Sequence, residues 1–235
     1  EDFSGTITAI LPPLLVDGKP FPAAMRVSLA FADAPASPSG KISARAIDRS
    51  LRLGSNFARA ADGAMRASNI DYAGADFALK GSATLLPDGS GLGVDLAYRG
   101  VGQAEPFPGI FLAGDFTAKG AMARGAAANS LSVNAGALAS GAWSIEGLSA
   151  TAQGPSNRIA LKASAVLLAV KGMTPAKRIA ATAFVDFSKS LDMALTSLTA
   201  DVAGAPLKLS APAAIKIDES VTIDKFRAVI GNSGS

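Results

Sequence analysis

The chain has 235 residues, a formal net charge of +3 and a hydrophobic fraction of 49%, ordinary for a folded protein. Aromatics supply only 6% and charged residues 17%, so side-chain volume for a thick closed core is scarce, while 24 glycines and 13 prolines disfavour long helices. With neither cysteine nor histidine, disulfides, thiolate metal sites and thiol chemistry are excluded, and the usual general base and commonest metal ligand are missing.

In chain order, "FSGTITAI" and "MRVSLAFA" read as strands. Residues 41–68 are ambiguous. "IDRSLRLGSNFARAADGAMRAS" fits a short helix with Leu51, Phe57 and Ala61 on one side, or strand-turn-strand, and Gly54 and Gly63 argue against a long helix. Arg45, Arg49, Arg52, Arg59 and Arg66 read as a solvated face. Without stacking aromatics or a basic block they do not make a nucleic-acid surface, and no nucleic-acid partner is expected.

"FALKGSATLLPDGSGLGVDLAYRG" then predicts an amphipathic hairpin. Phe77, Leu79, Ala83 and Leu85 share a face with Gly81, and Leu92, Val94, Leu96 and Tyr98 supply the same face on the returning strand. Trp143 reads as a filler of a wide spot beside Ile145 and Leu148. Ile159, Leu161, Ala163, Ala165 and Leu167 align in the next long run, and Ile179, Ala181, Ala183, Val185 and Phe187 in the one after. Leu191, Met193 and Leu195 continue the pattern, which changes parity before Leu198, Ala200 and Val202. The last stretch sets Leu207, Leu209, Ile215, Ile217, Val221 and Ile223 against polar neighbours, then slips phase at Lys225, the signature of a bulge or tight turn. Short turn motifs punctuate the runs, as in a meander of short strands, and no polar linker marks a domain boundary, so residues 1–235 read as one elongated segment.

Catalytic candidates fail one by one. "GSGLG" sits in a hairpin turn with no helix after it to face a phosphate. Asp71 with Asp76, and Asp218 with Glu219, fall on turns or polar faces where carboxylates stay solvated. A serine nucleophile would need a lysine base, and Ser188-Lys189-Ser190 reads as a polar turn. The chain is therefore not expected to be an enzyme, nor to hold a metal or cofactor. No run of ~18 apolar residues is present to span a membrane as a helix, and any targeting segment is expected to lie outside this sequence.

About fifteen strands spaced ~4.8 Å apart would make a sheet some 70 Å long, which must twist, curl or pack in water. Inward positions rich in Ala and Gly fill a sandwich poorly, so the expected fold is all-β: an elongated, curled, antiparallel-rich sheet with an apolar concave groove. Acyl chains suit such a groove, since a tail of about sixteen carbons costs on the order of 12 kcal/mol to expose to water. The candidate groove residues are Phe77, Leu79, Leu85, Leu92, Val94, Leu96, Ile159, Leu161, Ile179, Val185, Leu207, Leu209, Ile215, Ile217, Val221 and Ile223. A closed, cargo-free sandwich stays open as the alternative.

"ASNIDYAGADFALKGSATLLPDGSGLGVDLAYR", "GDFTAKGAMARG", "LSATAQGPSNRIALKASA" and "PLKLSAPAAIKIDESVTIDKFRAVIGN" resemble the repetitive β-rich part of the TamB family and, more loosely, AsmA-like proteins. The shared features are a Gly-closed amphipathic hairpin, a Gly-Pro-polar turn feeding "RIALKASA", and an ending in which proline breaks one strand before an acidic turn starts the next. The resemblance covers most of the chain after residue 70. It implies a taco-shaped β-sheet with a hydrophobic groove, a periplasmic place on a protein anchored to the inner membrane, movement of phospholipids between the membranes, and work with a TamA-like outer-membrane barrel on unfolded outer-membrane proteins. The family brings no catalytic residues. Its N-terminal anchor helix and terminal domain are not recognised here, so a middle fragment is expected. Two other functions remain: a scaffold offering strand edges to outer-membrane proteins, and a passenger-like β stalk.

Overall fold

A computed structural model of the chain describes residues 4–12, 14–16, 19–21, 24–32, 38–47, 50–102, 104–107, 110–186, 191–217 and 221–231. The fold is all-β, and its registered strand pairs are antiparallel. Among the described residues the only helical turn is a 3₁₀ turn at Pro87–Gly89. The chain packs as two units, residues 1–115 and 116–235.

Unit 1 is a meander of β1 (Gly5–Leu11), β4 (Met25–Ala32), β5 (Ser39–Ala46), β6 (Arg52–Arg59), β7 (Met65–Ala73), β8 (Phe77–Leu85) and β9 (Gly91–Gly100). Each of these pairs with the next, and β2 (Leu14–Val16) with β3 (Lys19–Phe21) makes a separate ribbon between β1 and β4. The ambiguous 41–68 region is thus strand, turn and strand. Leu51, buried in the β5–β6 turn, and Phe57, lying on Gly40 of the neighbouring strand, take up their apolar surface without a helix. Gly40 has no substitute there, because a Cβ on it would run into the Phe57 ring and the Ala30 carbonyl oxygen. Phe31 lies over Gly5 in the same way.

Unit 2 takes in most of β10 (Ala113–Ala123), then β11 (Asn129–Ser140), β12 (Trp143–Gly154), β13 (Ile159–Val170), β14 (Ala176–Asp186) and β15 (Leu191–Val202). The long β15 pairs at one end with β16 (Ala205–Leu209) and at the other with β17 (Ala213–Ile217). These continue to β19 (Ala228–Ile230) and β18 (Val221–Asp224), respectively. The parity change read after Leu195 is a bulge. Thr182 pairs with Ser197 and Ala183 with Leu195, so Thr196 is the extra residue. The phase slip at Lys225 is the turn out of β18, where this residue has φ 58°.

Little of either unit is sealed. Two compact globules of half the 23.5 kDa mass would together expose about 11,800 Å², whereas the chain exposes 14426 Å². The buried apolar residues are mostly alanines, and Ile159 is the one large side chain with no exposure among the described residues. It forms a small core with Ala152 and Val185, against which Leu131, Leu161, Met122 and Met193 pack while staying partly exposed. Trp143 shares a face with Ile145. At the end of β12, opposite Ser140 and Val170, it remains 39% exposed.

Candidate functional site

In an antiparallel pair, directly opposed residues project on the same face with Cβ atoms about 5 Å apart. The registers of unit 2 therefore line residues up across strands. Leu131, Ala152, Leu161, Ala183, Leu195 and Ala213 form one such line, alternating large and small from β11 to β15 and on to β17. Beside it runs Ile159, Val185, Met193 and Ile215, and on the other side Val133, Ala150, Ala163, Ala181 and Leu198. The reverse face carries Ser132, Thr151, Lys162, Thr182 and Ser197 in register. One face is continuously apolar, while the reverse face sets this polar line beside one of Ala160, Phe184, Ala194 and Ala214, and the large members Leu161, Ile179, Leu195 and Leu198 of the apolar face are neither buried nor fully exposed.

Three irregularities keep that face apolar over strands of up to twelve residues. Arg178, with φ 50° and an ion pair to Asp201, is the bulge that lets Ala176 and Ile179 both turn inward. Thr196 does the same between Leu195 and Leu198, and its hydroxyl donates to the Thr182 carbonyl at 3.0 Å. Gly147, at φ 60°, separates Ile145 from Leu148, both partly buried. Any Cβ there would be strained and would meet the Val166 side chain.

The sequence-selected residues fall into two sets. In unit 1, Leu79 opposes Tyr98, Leu85 opposes Leu92, and Gly81 and Ala83 oppose Leu96 and Val94, with Phe77 opposite Gly100, so all six selected positions share one face. Leu85 and Leu92 stand half exposed at the hairpin end. In unit 2, Ile159 opposes Val185, Leu161 opposes Ala183, and Ile179 opposes Ala165. Leu207 lies between Ala200 and Ile230, and Leu209 opposite Ala228. Ile215 pairs with Met193 and Ile223, and Ile217 with Val221. Phe187, the Asp218 and Glu219 pair and the Ser188-Lys189-Ser190 turn lie outside the described residues.

The selection missed half of the unit 1 face. Phe31, Gly40, Phe57, Ala67, Ala83 and Val94 follow one line, and Val27, Ala44, Leu53, Tyr72, Leu79 and Tyr98 another. The signal was the alternation of "MRVSLAFA". A bulge in β7 hid its continuation, since Ala67 opposes Ala83 but Ile70 opposes Gly81, with Asn69 at φ 51°. An open depression of about 410 Å³ lies at the β4–β6 ends around Phe31 and Phe57.

Polar chemistry near the face is sparse. Asp71 pairs with Arg52 at 3.3 Å, and Arg66 with Asp62 at 3.8 Å, all four side chains being well exposed. The Tyr72 hydroxyl donates to the Pro106 carbonyl at 2.5 Å and the Tyr98 hydroxyl to Leu112 at 2.7 Å. Burial pushes the Tyr72 phenol up to about 12 and raises that of Tyr98. Comparison with protein-family models, with curated proteins and with solved structures finds no match to this chain.

Proposed function

We propose that the chain is a lipid-binding, lipid-conducting segment whose apolar sheet faces shield phospholipid acyl chains. The observation that carries this reading is the in-register apolar face of unit 2, whose leucines and isoleucines are left partly in water, with an exposed area beyond that of two compact globules. A contiguous apolar surface of this kind is retained where something else covers it. Acyl chains fit because the lines of that face offer methyl and methylene groups and no charge, while the Lys162, Thr151 and Thr182 line of the reverse face stays in solvent. With the resemblance to the TamB family, the proposal extends to a periplasmic, inner-membrane-anchored protein that passes phospholipids toward the outer membrane beside a TamA-like barrel.

Native mass spectrometry of the purified chain is expected to find copurified phospholipid, and a fluorescent fatty acid to bind. Leu161→Asp is expected to lower that binding at least ~10-fold, about 1.4 kcal/mol, while leaving the strand signal in circular dichroism. A lipid-free chain that ignores the probe overturns the reading, and unfolding by Leu161→Asp favours a sealed stalk.

A further inference from the structure

The chain has two tyrosines, and both bind the same loop. Tyr72 and Tyr98 stand in one cross-strand line on the apolar face of unit 1, flanking Leu79. Their hydroxyls reach off that face to the carbonyls of Pro106 and Leu112, so the described residues of this segment, 101–102, 104–107 and 110–112, lie over it as a strap. The strap closes on itself through the Leu112 amide to the Ala104 carbonyl at 2.8 Å, and is tied at its start by the Val101 amide to Asp76 at 2.8 Å. Ala104 is 1% exposed, and the Phe107 ring sits 5.8 Å from that of Tyr72.

The outer side of the strap is unlike an ordinary surface loop. Val101, Phe107, Ile110 and Phe111 are 63%, 48%, 53% and 43% exposed, so closure leaves most of the strap's apolar load in water. A segment whose described residues are mostly exposed, fastened to the sheet by the hydroxyls of two tyrosines, opens at low cost. Among the described residues unit 2 has no counterpart.

We infer that the Val101–Leu112 strap is a cover latched by Tyr72 and Tyr98, which holds part of the unit 1 apolar face closed and lifts to admit an acyl chain to Leu79 and Leu53. The inference rests on the lipid-binding reading and adds a control point to it. With the strap lifted, its outward side chains give the tail a second apolar surface to follow.

The test uses the whole chain and Tyr72→Phe/Tyr98→Phe, which keeps both rings and removes both hydroxyls; Tyr98→Phe alone serves if the double variant folds poorly. Hydrogen exchange of the Leu112 amide reports the strap. Adducts of a photoreactive palmitate, mapped by mass spectrometry, report access to β8 in unit 1 and to β13 in unit 2. The expected result is at least ~10-fold faster exchange at Leu112 with several-fold more adducts on β8, those on β13 being unchanged. Unchanged exchange overturns the latch. Faster exchange without added β8 adducts, while β13 still labels, overturns the cover and leaves the lipid reading standing. No adducts on either strand in either protein overturns the lipid reading, and the cover with it.

Discussion

The two units make an apolar face from different materials. Unit 1 lays phenylalanine rings on glycines of the neighbouring strand, Phe31 over Gly5 and Phe57 over Gly40, and covers its β7–β9 portion with its own loop. Unit 2 alternates leucine with alanine across the strands, carries no aromatic in those lines, and is pinned by the small core of Ile159, Ala152 and Val185. A ring lying flat covers backbone, so the face in unit 1 is closed down by its own side chains. Leucine beside alanine leaves a notch every second strand, about 9.6 Å apart, and the notches in unit 2 stay open to a guest. Aromatic content of 6% is enough for the first device only because glycine accepts the ring.

The largest expected effect comes from removing one residue. Deleting Thr196 would turn Leu198, Ala200 and Val202 to the polar face, since a one-residue slip reverses every later side chain. Amide exchange should then report loss of the β15–β16 pairing from Ala200 to Leu207, with unit 1 unaffected. Retained protection there would mean that the bulge is dispensable to the unit 2 face.

Next in size is Ile159→Ala, expected to lower the stability of unit 2 by about 3–4 kcal/mol, as for other fully buried large-to-small changes. Leu161→Ala, two residues along the same face but partly exposed, should cost about half as much. Equal losses in urea titrations would mean that Leu161 is sealed as tightly as Ile159, and the distinction between pin and open face would fail.

Much of the apolar face in each unit was legible beforehand, though not the division into two units, and the limits were physical. Period-two alternation in "RIALKASA" and "RIAATAFVDF" gave the right face because the register pairs Ile159 with Val185 and Leu161 with Ala183, and the parity change after Leu195 marked a real bulge. Arg178 and Asn69 broke the period without a glycine to announce them, so the continuation through Ala176 and from Ala67 to Ile70 was hidden. The rings on Gly5 and Gly40 depend on a neighbour in the next strand, which one-dimensional periodicity does not contain. Nor could spacing reveal that two turns fasten to each other. The Ser156 hydroxyl accepts from the Gly125 amide at 3.0 Å, the Asn129 side-chain oxygen from the Ala123 amide at 2.6 Å, and both residues are buried. Tyr98 was read as one more apolar residue, although its hydroxyl is what holds the strap.

The unit 1 device has its own test of smaller size. Gly40→Ala must push its Cβ against the Phe57 ring and the Ala30 carbonyl oxygen, and is expected to cost about 2 kcal/mol. Gly54→Ala, on the adjacent strand with open space around it, should stay within about 0.5 kcal/mol of the parent. If both are silent in thermal unfolding, ring-on-glycine packing does not shape the unit 1 face.

The smallest effect is a pH dependence confined to unit 1, since both tyrosines lie there. The Tyr72 phenol ionises near 10 in the unfolded chain and is pushed up to about 12 by burial in the folded one, with Tyr98 shifted in the same direction. Below pH 10 both states keep the proton and the contribution of the phenol is whole. Between 10 and 12 the unfolded chain loses its proton while the folded chain keeps it, so stability falls as pH rises, and above 12 that contribution is gone. The same ionisation removes the hydrogen that Tyr72 donates to Pro106, so the strap should loosen over this window before the strands melt. A spectroscopic phenolate titration beside amide exchange at Leu112 checks the coupling. In the parent, exchange should accelerate with the late phenolate step. In Tyr72→Phe the step that belongs to Tyr72 should vanish while that of Tyr98 stays, and exchange should be faster than in the parent already at neutral pH. Two phenols titrating near 10, with Leu112 indifferent to both, would leave the difference between the units to packing alone.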